Sequence, residues 1–538
     1  MKMSRCAGLA ALALSLAACG GGGGNGGYSA SADTVQVTGG TVAASAESTV
    51  SLRAFKGIPF AAPPVGNLRW KAPQLVVAWS GVRAGDNFGS ACVAGNRPAG
   101  KPGAILYQDP GPQSEDCLYL NVWTGAYAGG QDKRPVMLLL YGGGYQLGAA
   151  SQTNYYGAGL ASKGAVVVTM NYRLGALGFL AHPELTAEAG RSGNYALLDA
   201  IAGLQWVQAN IAKFGGDPSR VTVYSESAGA GLANVLLASP KARGLYHRMI
   251  LESLGAMPAG SNNTTLAQAE AAGTAFGNSI GATTLAALRA KSAADIMAAT
   301  FAPGPIVDGD VLPDQLDLLF ARKQFNDVPL LLGWNGDEGT PYPPFATTLA
   351  AYNTNASTRY GSLAAQFKSV YPANSDADVQ ALAYQPMRDG TFAWQIWTIA
   401  RAHAALGSTS TYLYFFTRRP SYFPDQHFTE QDPPSLYGAY HSLEQVYFYN
   451  NLDRSAPSRP YTDVDRHIAD VASSYLVNFA ANGNPNGGSL PSWPAFTGPG
   501  SQTMEIGDTI APTTVPFRPA LDFFDTFYTQ NLGRPLPF

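Results

Sequence analysis

Charged side chains are scarce in this chain, and their signs nearly balance. Of the 538 residues, 13% are charged, and the formal net charge is -3 at pH 7. No cluster of lysines and arginines stands out along the sequence. Proteins that bind nucleic acid carry a basic patch that neutralises phosphates. We therefore expect no nucleic-acid partner.

Familiar metal-binding patterns are also missing. The chain has 4 cysteines and 6 histidines. It contains neither a His-Glu-x-x-His motif nor a set of paired cysteine ligands. Both patterns are typical of zinc sites because they place several ligands around one ion. The sequence therefore predicts no metal site.

Long apolar runs are absent, apart from a short one at the N-terminus. Lys2 and Arg5 precede an apolar stretch from Ala7 to Leu16, which is too short to span a bilayer. A basic start followed by a short apolar stretch and small residues is typical of a secretory signal peptide. No later stretch is long and apolar enough to cross a membrane. We therefore expect an exported protein without a spanning helix.

The end of this leader, Leu16-Ala17-Ala18-Cys19, resembles the lipobox of bacterial lipoproteins. The resemblance implies a signal peptide at 1–18, cleavage before Cys19 and lipidation of its thiol. Residues 19–34 would then form a glycine-rich tether. This predicts a cell-envelope lipoprotein that touches the membrane only through its lipid anchor at Cys19. An ordinary signal peptide and a secreted protein are the alternative.

The remaining cysteines are Cys92 and Cys117, because Cys6 lies in the predicted leader and Cys19 would carry lipid. In an oxidising compartment, an even remainder favours a disulfide. It would close a loop of about 25 residues and contribute ~3 kcal/mol. Two free buried thiols are the alternative.

The stretch from Val221 to Gly229, Val-Thr-Val-Tyr-Ser-Glu-Ser-Ala-Gly, changes from β-branched residues to small ones around one serine. It predicts a buried strand followed by a helix. A serine on such a tight turn is strained and needs small neighbours on both sides, as in the nucleophile elbow of α/β-hydrolases. Gly229 meets this demand, whereas Ser225 stands where the elbow usually has glycine. We predict that Ser227 is the nucleophile, and that Ser225 is tolerated because strand and helix stand slightly further apart.

Three consecutive glycines follow another predicted strand. Val136 to Leu140 is a continuous apolar run, as expected of a strand buried on both faces of a parallel sheet. Tyr141-Gly142-Gly143-Gly144-Tyr145 comes directly after it. Glycines let the backbone turn its N–H groups into a cavity, where they can stabilise an oxyanion. By itself, such a segment is more often a simple turn.

Several longer motifs follow one another along the chain. They include Pro63-Pro64-Val65-Gly66, Leu68-Arg69-Trp70, Ser114-Glu115-Asp116-Cys117-Leu118-Tyr119-Leu120-Asn121-Val122-Trp123 and Asn482-Gly483-Asn484-Pro485-Asn486. Together they resemble the type-B carboxylesterase family, the cholinesterase-like branch of the α/β-hydrolases. The resemblance implies an α/β-hydrolase fold, in which helices cover both faces of a large, mostly parallel mixed sheet. We expect one such domain over 35–538.

Apolar periodicity predicts further elements within this domain. Val35 to Val42 is expected to form an early strand, and Asp463 to Asn482 a helix. The alanine-rich stretch from Leu266 to Thr300 is helical in period. Leu330 to Leu332 is expected to end a strand, and Gly333 to Gly339 to follow it as a loop.

The same resemblance implies partners for Ser227. Gly438-Ala439-Tyr440-His441 matches the family's Gly-Ala-x-His segment, which implies His441 as the base. Ser442 replaces the glycine that usually follows. The segment from Gly333 to Gly339 matches Gly-x-Asn-x-Asp-Glu-Gly, which implies Glu338 as the triad acid.

The resemblance also implies further roles. It implies the oxyanion donors Gly143, Gly144 and Ala228, a disulfide between Cys92 and Cys117, and Asp337 as a hydrogen bonder within its loop. Glu226 would add negative potential beside the nucleophile and favour cationic groups, or would fix the elbow by hydrogen bonds. Ser253 is either a hydrogen bonder to the triad or a buried serine satisfied by backbone.

Ester hydrolysis follows from these residue types. Ser227 would attack the ester carbonyl while His441 takes its proton, and water would later release the acyl group. This chemistry needs no cofactor, and its partner is a small-molecule ester. A catalytically silent binding or adhesion module, and an amide or polyester hydrolase, remain as alternatives. The sequence predicts neither the particular ester nor the oligomeric state.

Overall fold

The computed structural model describes residues 33–95, 106, 108–126, 131–428 and 431–538. The predicted signal peptide, Cys19 and nearly all of the proposed tether lie outside the described residues. Within them, the strands are β1 (Thr34–Val37), β2 (Gly40–Ala43), β3 (Arg53–Pro59), β4 (Val82–Arg83), β5 (Ala91–Cys92), β6 (Gln113–Ser114), β7 (Tyr119–Thr124), β8 (Arg134–Leu140), β9 (Val166–Met170), β10 (Gly216–Glu226), β11 (Arg248–Glu252), β12 (Leu330–Asn335), β13 (Thr411–Phe416), β14 (Gln502–Ile506) and β15 (Ile510–Thr514).

The α-helices are mostly short, and the longest has 20 residues. They are α1 (Ala158–Ser162), α2 (Gly175–Phe179), α3 (Pro183–Ala189), α4 (Tyr195–Asn210), α5 (Ala228–Ala238), α6 (Leu266–Ser279), α7 (Leu285–Ala290), α8 (Ala293–Ala298), α9 (Leu316–Ala321), α10 (Leu349–Tyr360), α11 (Ala364–Val370), α12 (Asp376–Leu382), α13 (Gln385–Met387), α14 (Trp394–Leu406), α15 (Glu444–Phe448), α16 (Asp463–Asn482) and α17 (Arg518–Leu532).

A ten-stranded sheet forms the centre of the molecule, in the order β15-β14-β13-β12-β11-β10-β8-β9-β7-β3. Its pairs are parallel from β14 to β9, whereas β15, β7 and β3 join antiparallel. The central strands are almost wholly buried, as expected when both faces of a parallel sheet are covered. The predicted α/β-hydrolase fold class is confirmed.

The helices that matter most for the site pack on the middle of this sheet. Helix α5 contacts β10 and β11, α14 contacts β12 and β13, and α16 contacts β8 and β10. Since these strands run parallel, their carboxyl ends meet at one edge of the sheet. The loops that leave β8, β10 and β12 therefore converge there.

Some sequence predictions of secondary structure were accurate, and others were wrong in an instructive way. The helix predicted over Asp463 to Asn482 is confirmed as α16. The single strand predicted over Val35 to Val42 is instead the hairpin of β1 and β2, because the chain reverses at Gly39, whose φ is +100°. The alanine-rich stretch after Leu266 divides into α6, α7 and α8.

The segment that carries Glu338 was also predicted too simply. Gly333 to Asn335 was expected to be loop, but β12 continues through it and pairs with β13 up to Phe416. A Cβ at Gly333 would lie 2.3 Å from the ring of Tyr414, so glycine permits this close pairing. The loop begins only at Gly336.

A disulfide joins Cys92, at the end of β5, to Cys117, just before β7, with their Cα atoms 4.9 Å apart. This is the pair that the sequence left after its other cysteines were assigned to the leader. Among the helices of the described residues, none has the length and apolar character to cross a membrane.

Candidate active site

Ser227 occupies the turn between β10 and α5, at the carboxyl edge of the sheet. Its backbone has φ 52° and ψ -127°, a conformation that L-residues rarely adopt. A Cβ at Gly229 would lie 2.1 Å from the carbonyl oxygen of Leu140, so only glycine lets α5 approach β8 this closely. The strained serine and its small neighbour are those of a nucleophile elbow.

His441 lies beside Ser227, on a loop that leads into α15. Its Nε2 is 2.9 Å from Ser227 Oγ. The imidazole packs against the rings of Phe392 and Tyr342, with centroids 4.4 Å and 5.7 Å away. Only 2% of His441 is exposed, so its position is fixed by packing as well as by hydrogen bonds.

Glu338 completes this chain of contacts from the loop after β12. Its Oε2 is 2.6 Å from His441 Nδ1. Its Oε1 accepts hydrogen bonds from Ser253 Oγ at 2.5 Å and from the backbone N–H of Asn335 at 2.7 Å. The adjacent Asp337 points elsewhere, because it accepts from the backbone N–H of Ala439 and pairs with Arg419.

Burial controls the charges of this group. It raises the pKa of Glu338, whereas the hydrogen bonds from Ser253 and Asn335 lower it by stabilising the carboxylate. Burial also lowers the pKa of His441. The imidazole is therefore neutral at neutral pH, which is the form that can accept a proton from Ser227.

Glu226 precedes Ser227 and forms a second acidic contact to the histidine. Its Oε1 lies 3.3 Å from His441 Nε2 and accepts a hydrogen bond from Ser442 Oγ at 2.5 Å. Burial raises the pKa of Glu226 to about 7, while the His441 contact and the Ser442 hydroxyl lower it. Ser442 has a φ of 71°, a region that favours the glycine it replaces.

The glycine loop after β8 approaches Ser227 closely. A Cβ at Gly142 would lie 2.9 Å from Ser227 Cβ, and one at Gly143 would lie 2.2 Å from the carbonyl oxygen of Leu147. The backbone N–H groups of Gly143, Gly144 and Ala228 donate to no other atom of the described residues. Three unpaired N–H groups beside a serine hydroxyl can receive developing negative charge.

Ser225 does not point into this group. It is fully buried, and its hydroxyl donates to the backbone carbonyl of Ile250 on the neighbouring strand β11, at 2.7 Å. The hydroxymethyl group is thus satisfied within the sheet. Whether strand and helix stand further apart than in other elbows stays a prediction.

One supporting residue, Glu444, was not assigned from sequence. Glu444 is fully buried and accepts hydrogen bonds from Asn335 Nδ2 and, at 3.3 Å, from Ser253 Oγ. Ser253 therefore links Glu338 to a second carboxylate. A signal was present, since Glu444 follows His441 by three residues at the start of α15 and so returns to the same side of that turn.

A cavity of about 420 Å³ opens in front of Ser227. Its described lining includes the glycine loop, His441, Ser442 and Glu226, together with side chains from segments 108–113 and 152–155. Its size lies in the range of small-molecule sites. The other histidines do not line it, and the described residues hold no group of three or more histidine, cysteine or acidic side chains arranged for a metal.

The serine is hydrogen-bonded to a histidine, and a buried carboxylate orients that histidine. All three lie at the edge of a mostly parallel sheet where the strands have their carboxyl ends. This arrangement defines a serine hydrolase of the α/β-hydrolase class. Comparison with known proteins narrows the class. Residues 30–523 match the model of the carboxylesterase family, to which the chain belongs. It is a carboxylic ester hydrolase.

Three relatives illustrate the range of this family. The chain is 38% identical over 488 residues to the fumonisin B1 esterase of Sphingopyxis macrogoltabida, an alignment covering 85% of this chain and 83% of the relative. It is 35% identical to the cocaine esterase of Oryctolagus cuniculus, in an alignment that covers 82% of this chain and 85% of the relative. It is 33% identical to the para-nitrobenzyl esterase of Bacillus subtilis (strain 168), in an alignment that covers 85% of this chain and 91% of the relative.

Proposed function

We propose that this chain cleaves carboxylic esters through an acyl-enzyme on Ser227, with His441 as the base and Glu338 as the carboxylate that orients it. The observation that carries the proposal is the continuous hydrogen-bond chain through these side chains. Ser227 Oγ lies 2.9 Å from His441 Nε2, and His441 Nδ1 lies 2.6 Å from Glu338 Oε2. Each distance is within reach of proton transfer or a strong hydrogen bond.

The first half of the reaction forms the acyl-enzyme. Ser227 Oγ attacks the ester carbonyl carbon while His441 Nε2 accepts the hydroxyl proton. The carbonyl oxygen becomes an oxyanion, which the N–H groups of Gly143, Gly144 and Ala228 receive. The tetrahedral intermediate collapses, the alcohol leaves with the proton from His441, and the acyl group stays on Ser227.

Water completes the cycle on the same residues. His441 Nε2 takes a proton from water, whose oxygen attacks the acyl carbonyl, and then returns the proton to Ser227 Oγ as the acid leaves. Glu338 accepts the Nδ1–H, which keeps Nε2 free to act as a base and stabilises the imidazolium that forms. Glu226, 3.3 Å from Nε2, adds to this stabilisation when it is ionised.

Hydrolysis of short and medium p-nitrophenyl esters tests the proposal. We expect Ser227→Ala to lower kcat/KM by about 10³-fold or more, because the nucleophile is lost while binding remains. Ser219→Ala, an exposed position on the same strand, is the matched control and should retain full activity. Unchanged turnover in Ser227→Ala would place the nucleophile elsewhere.

We also propose that the protein is a cell-envelope lipoprotein anchored through Cys19. The motif Leu16-Ala17-Ala18-Cys19 and the basic, apolar leader before it support this proposal. In the native host, Cys19→Ser should move the protein from the detergent phase to the aqueous phase on phase separation. Cys6→Ser, within the leader, should leave it in the detergent phase. If the unsubstituted protein were found in the aqueous phase, simple secretion would be favoured instead.

A further inference from the structure

Three side-chain amides on one part of the cavity wall are held in a fixed orientation. Gln113 Oε1 accepts the backbone N–H of Ala94 at 2.9 Å. Asn154 Oδ1 accepts the backbone N–H of Ala456 at 3.0 Å. Gln108 Oε1 accepts from the backbone N–H of Asn154 at 3.4 Å. A backbone N–H can only donate, so in each amide the oxygen must face the backbone.

The amide nitrogens of these residues have no partner among the described residues of the protein. Among the described residues, no atom accepts from Gln108 Nε2, Gln113 Nε2 or Asn154 Nδ2, and all three side chains line the cavity that holds Ser227. Gln152 braces the same wall, because its Nε2 donates to the backbone carbonyl of Gln108 at 3.2 Å. The wall therefore presents hydrogen-bond donors in a preset arrangement.

The charges around the cavity restrict what these donors can receive. No lysine or arginine occurs in the part of the lining that the structure describes, and Glu226 is its acidic side chain. Within the described lining, a carboxylate in the substrate would meet that acid with no cation to offset it. An alkyl chain would displace water from the amide donors that it covers and leave them unpaired, which costs free energy.

We propose that the substrates are esters whose acyl or alcohol part carries additional uncharged oxygen acceptors, such as ether, hydroxyl or ester oxygens, bound by Gln108, Gln113 and Asn154. This proposal rests on the proposed function of Ser227. It assigns substrate specificity to the amide region, which is formed by Gln108, Gln113 and Asn154. The bond that is cleaved stays the ester bond. A substrate oxygen would replace water on each donor with a bond of the same kind.

Two pairs of esters of matched length provide the test. The acyl pair is p-nitrophenyl (2-methoxyethoxy)acetate and p-nitrophenyl heptanoate. The alcohol pair is 2-(2-methoxyethoxy)ethyl butyrate and heptyl butyrate. The variant is the double substitution Gln108→Glu and Gln113→Glu, since glutamate keeps an oxygen for the backbone N–H groups but replaces both donors with acceptors. The double substitution Gln366→Glu and Gln380→Glu, at exposed glutamines on α11 and α12, is the control because it adds the same two negative charges.

In the double variant, we expect kcat/KM to fall by about tenfold or more for the ether-bearing ester of at least one pair, and by less than about twofold for its alkyl partner. The control variant should change kcat/KM for neither ester. Equal effects on the two members of both pairs would overturn the specificity proposal alone. No hydrolysis of any of the esters by the unaltered, folded protein would overturn the proposed function as well.

Discussion

Two regions line the cavity in front of Ser227, and they differ in how far their polar groups are already paired. In the catalytic region, Glu338 uses both carboxylate oxygens, and Ser253, Glu226 and Ser442 are hydrogen-bonded to one another or to the triad. In the amide region, Gln108, Gln113 and Asn154 keep free donors. Polar side chains with hydrogen-bond partners keep a fixed position, whereas those with a free donor can bind a ligand.

The difference separates the two tasks of the site. The catalytic region lies at strand ends and is buried, so substitutions in it should lower kcat/KM for every ester alike. The amide region belongs to surface segments, so substitutions in it should lower kcat/KM for some esters more than for others. The following predictions probe the catalytic region, where loss of activity should be independent of the substrate.

The largest effect is expected for Glu338→Gln. The amide would offer N–H to His441 Nδ1, force a proton onto Nε2 and so disable the base. We expect kcat/KM to fall by about 10³-fold for both members of each ester pair. Asp337→Asn is the matched control, because Asp337 pairs with Arg419 rather than His441. Equal losses in the two variants would contradict the assignment of Glu338.

A smaller effect is expected for Ser253→Ala, by about tenfold. The hydroxyl stabilises the charged form of Glu338, so its loss raises the pKa of that carboxyl further. Since ionised Glu338 supports the imidazolium, the acidic limb of the kcat/KM profile should move to higher pH. In a Glu338→Gln background, the substitution should add little. If kcat/KM fell by the same factor at every pH and the acidic limb did not shift, Ser253 would have only a packing role.

Ser442→Gly tests the link between Ser442 and Glu226. Losing this hydroxyl raises the pKa of Glu226 above its present value of about 7, so Glu226 stays neutral over more of the pH range. We expect a loss of kcat/KM of up to about threefold near pH 7 to 8, where the ionised fraction of Glu226 falls most, and little change near pH 6 or pH 9. Ser442→Ala should show the same pH effect. Glycine alone should raise the melting temperature, because it relieves the positive φ.

The smallest effect on activity is expected for Ser225→Gly. Its hydroxyl bonds to the carbonyl of Ile250 and not to the triad, so kcat/KM should change by less than about twofold. The free energy of unfolding should fall by ~1 to 2 kcal/mol through the lost hydrogen bond and the flexibility of glycine in a strand. Denaturant unfolding and ester hydrolysis separate these effects. A tenfold loss of activity would show that Ser225 supports the site.

Sequence reasoning was most successful where chemistry is confined to short motifs. The segments around Ser227, Glu338 and His441 lie far apart in the chain, yet each has a distinctive pattern, and the structure brings their side chains together. The hairpin at Gly39 was missed although the sequence carries its signal: Gly39-Gly40 is a turn dipeptide, and Val42 is out of phase with Val35 and Val37. Reading the β-branched residues as one strand overlooked this change of phase.

The amide region could not have been predicted in the same way. Gln108, Gln113 and Asn154 are ordinary polar residues in irregular segments, with no characteristic spacing. Their common feature is the backbone N–H that each carbonyl oxygen accepts, and two of these N–H groups, those of Ala94 and Ala456, are distant in sequence. Such contacts depend on the folded path of the loops and leave no pattern in the chain.

The most direct test of the account is covalent labelling with a fluorophosphonate, followed by intact mass measurement and peptide mapping. A strained, base-activated serine should displace fluoride and form one stable adduct. The account predicts a single label on Ser227, and no label in Ser227→Ala. It also predicts much slower labelling in Glu338→Gln. A label on another residue, or equal labelling of Ser227→Ala, would contradict the assignment of the nucleophile.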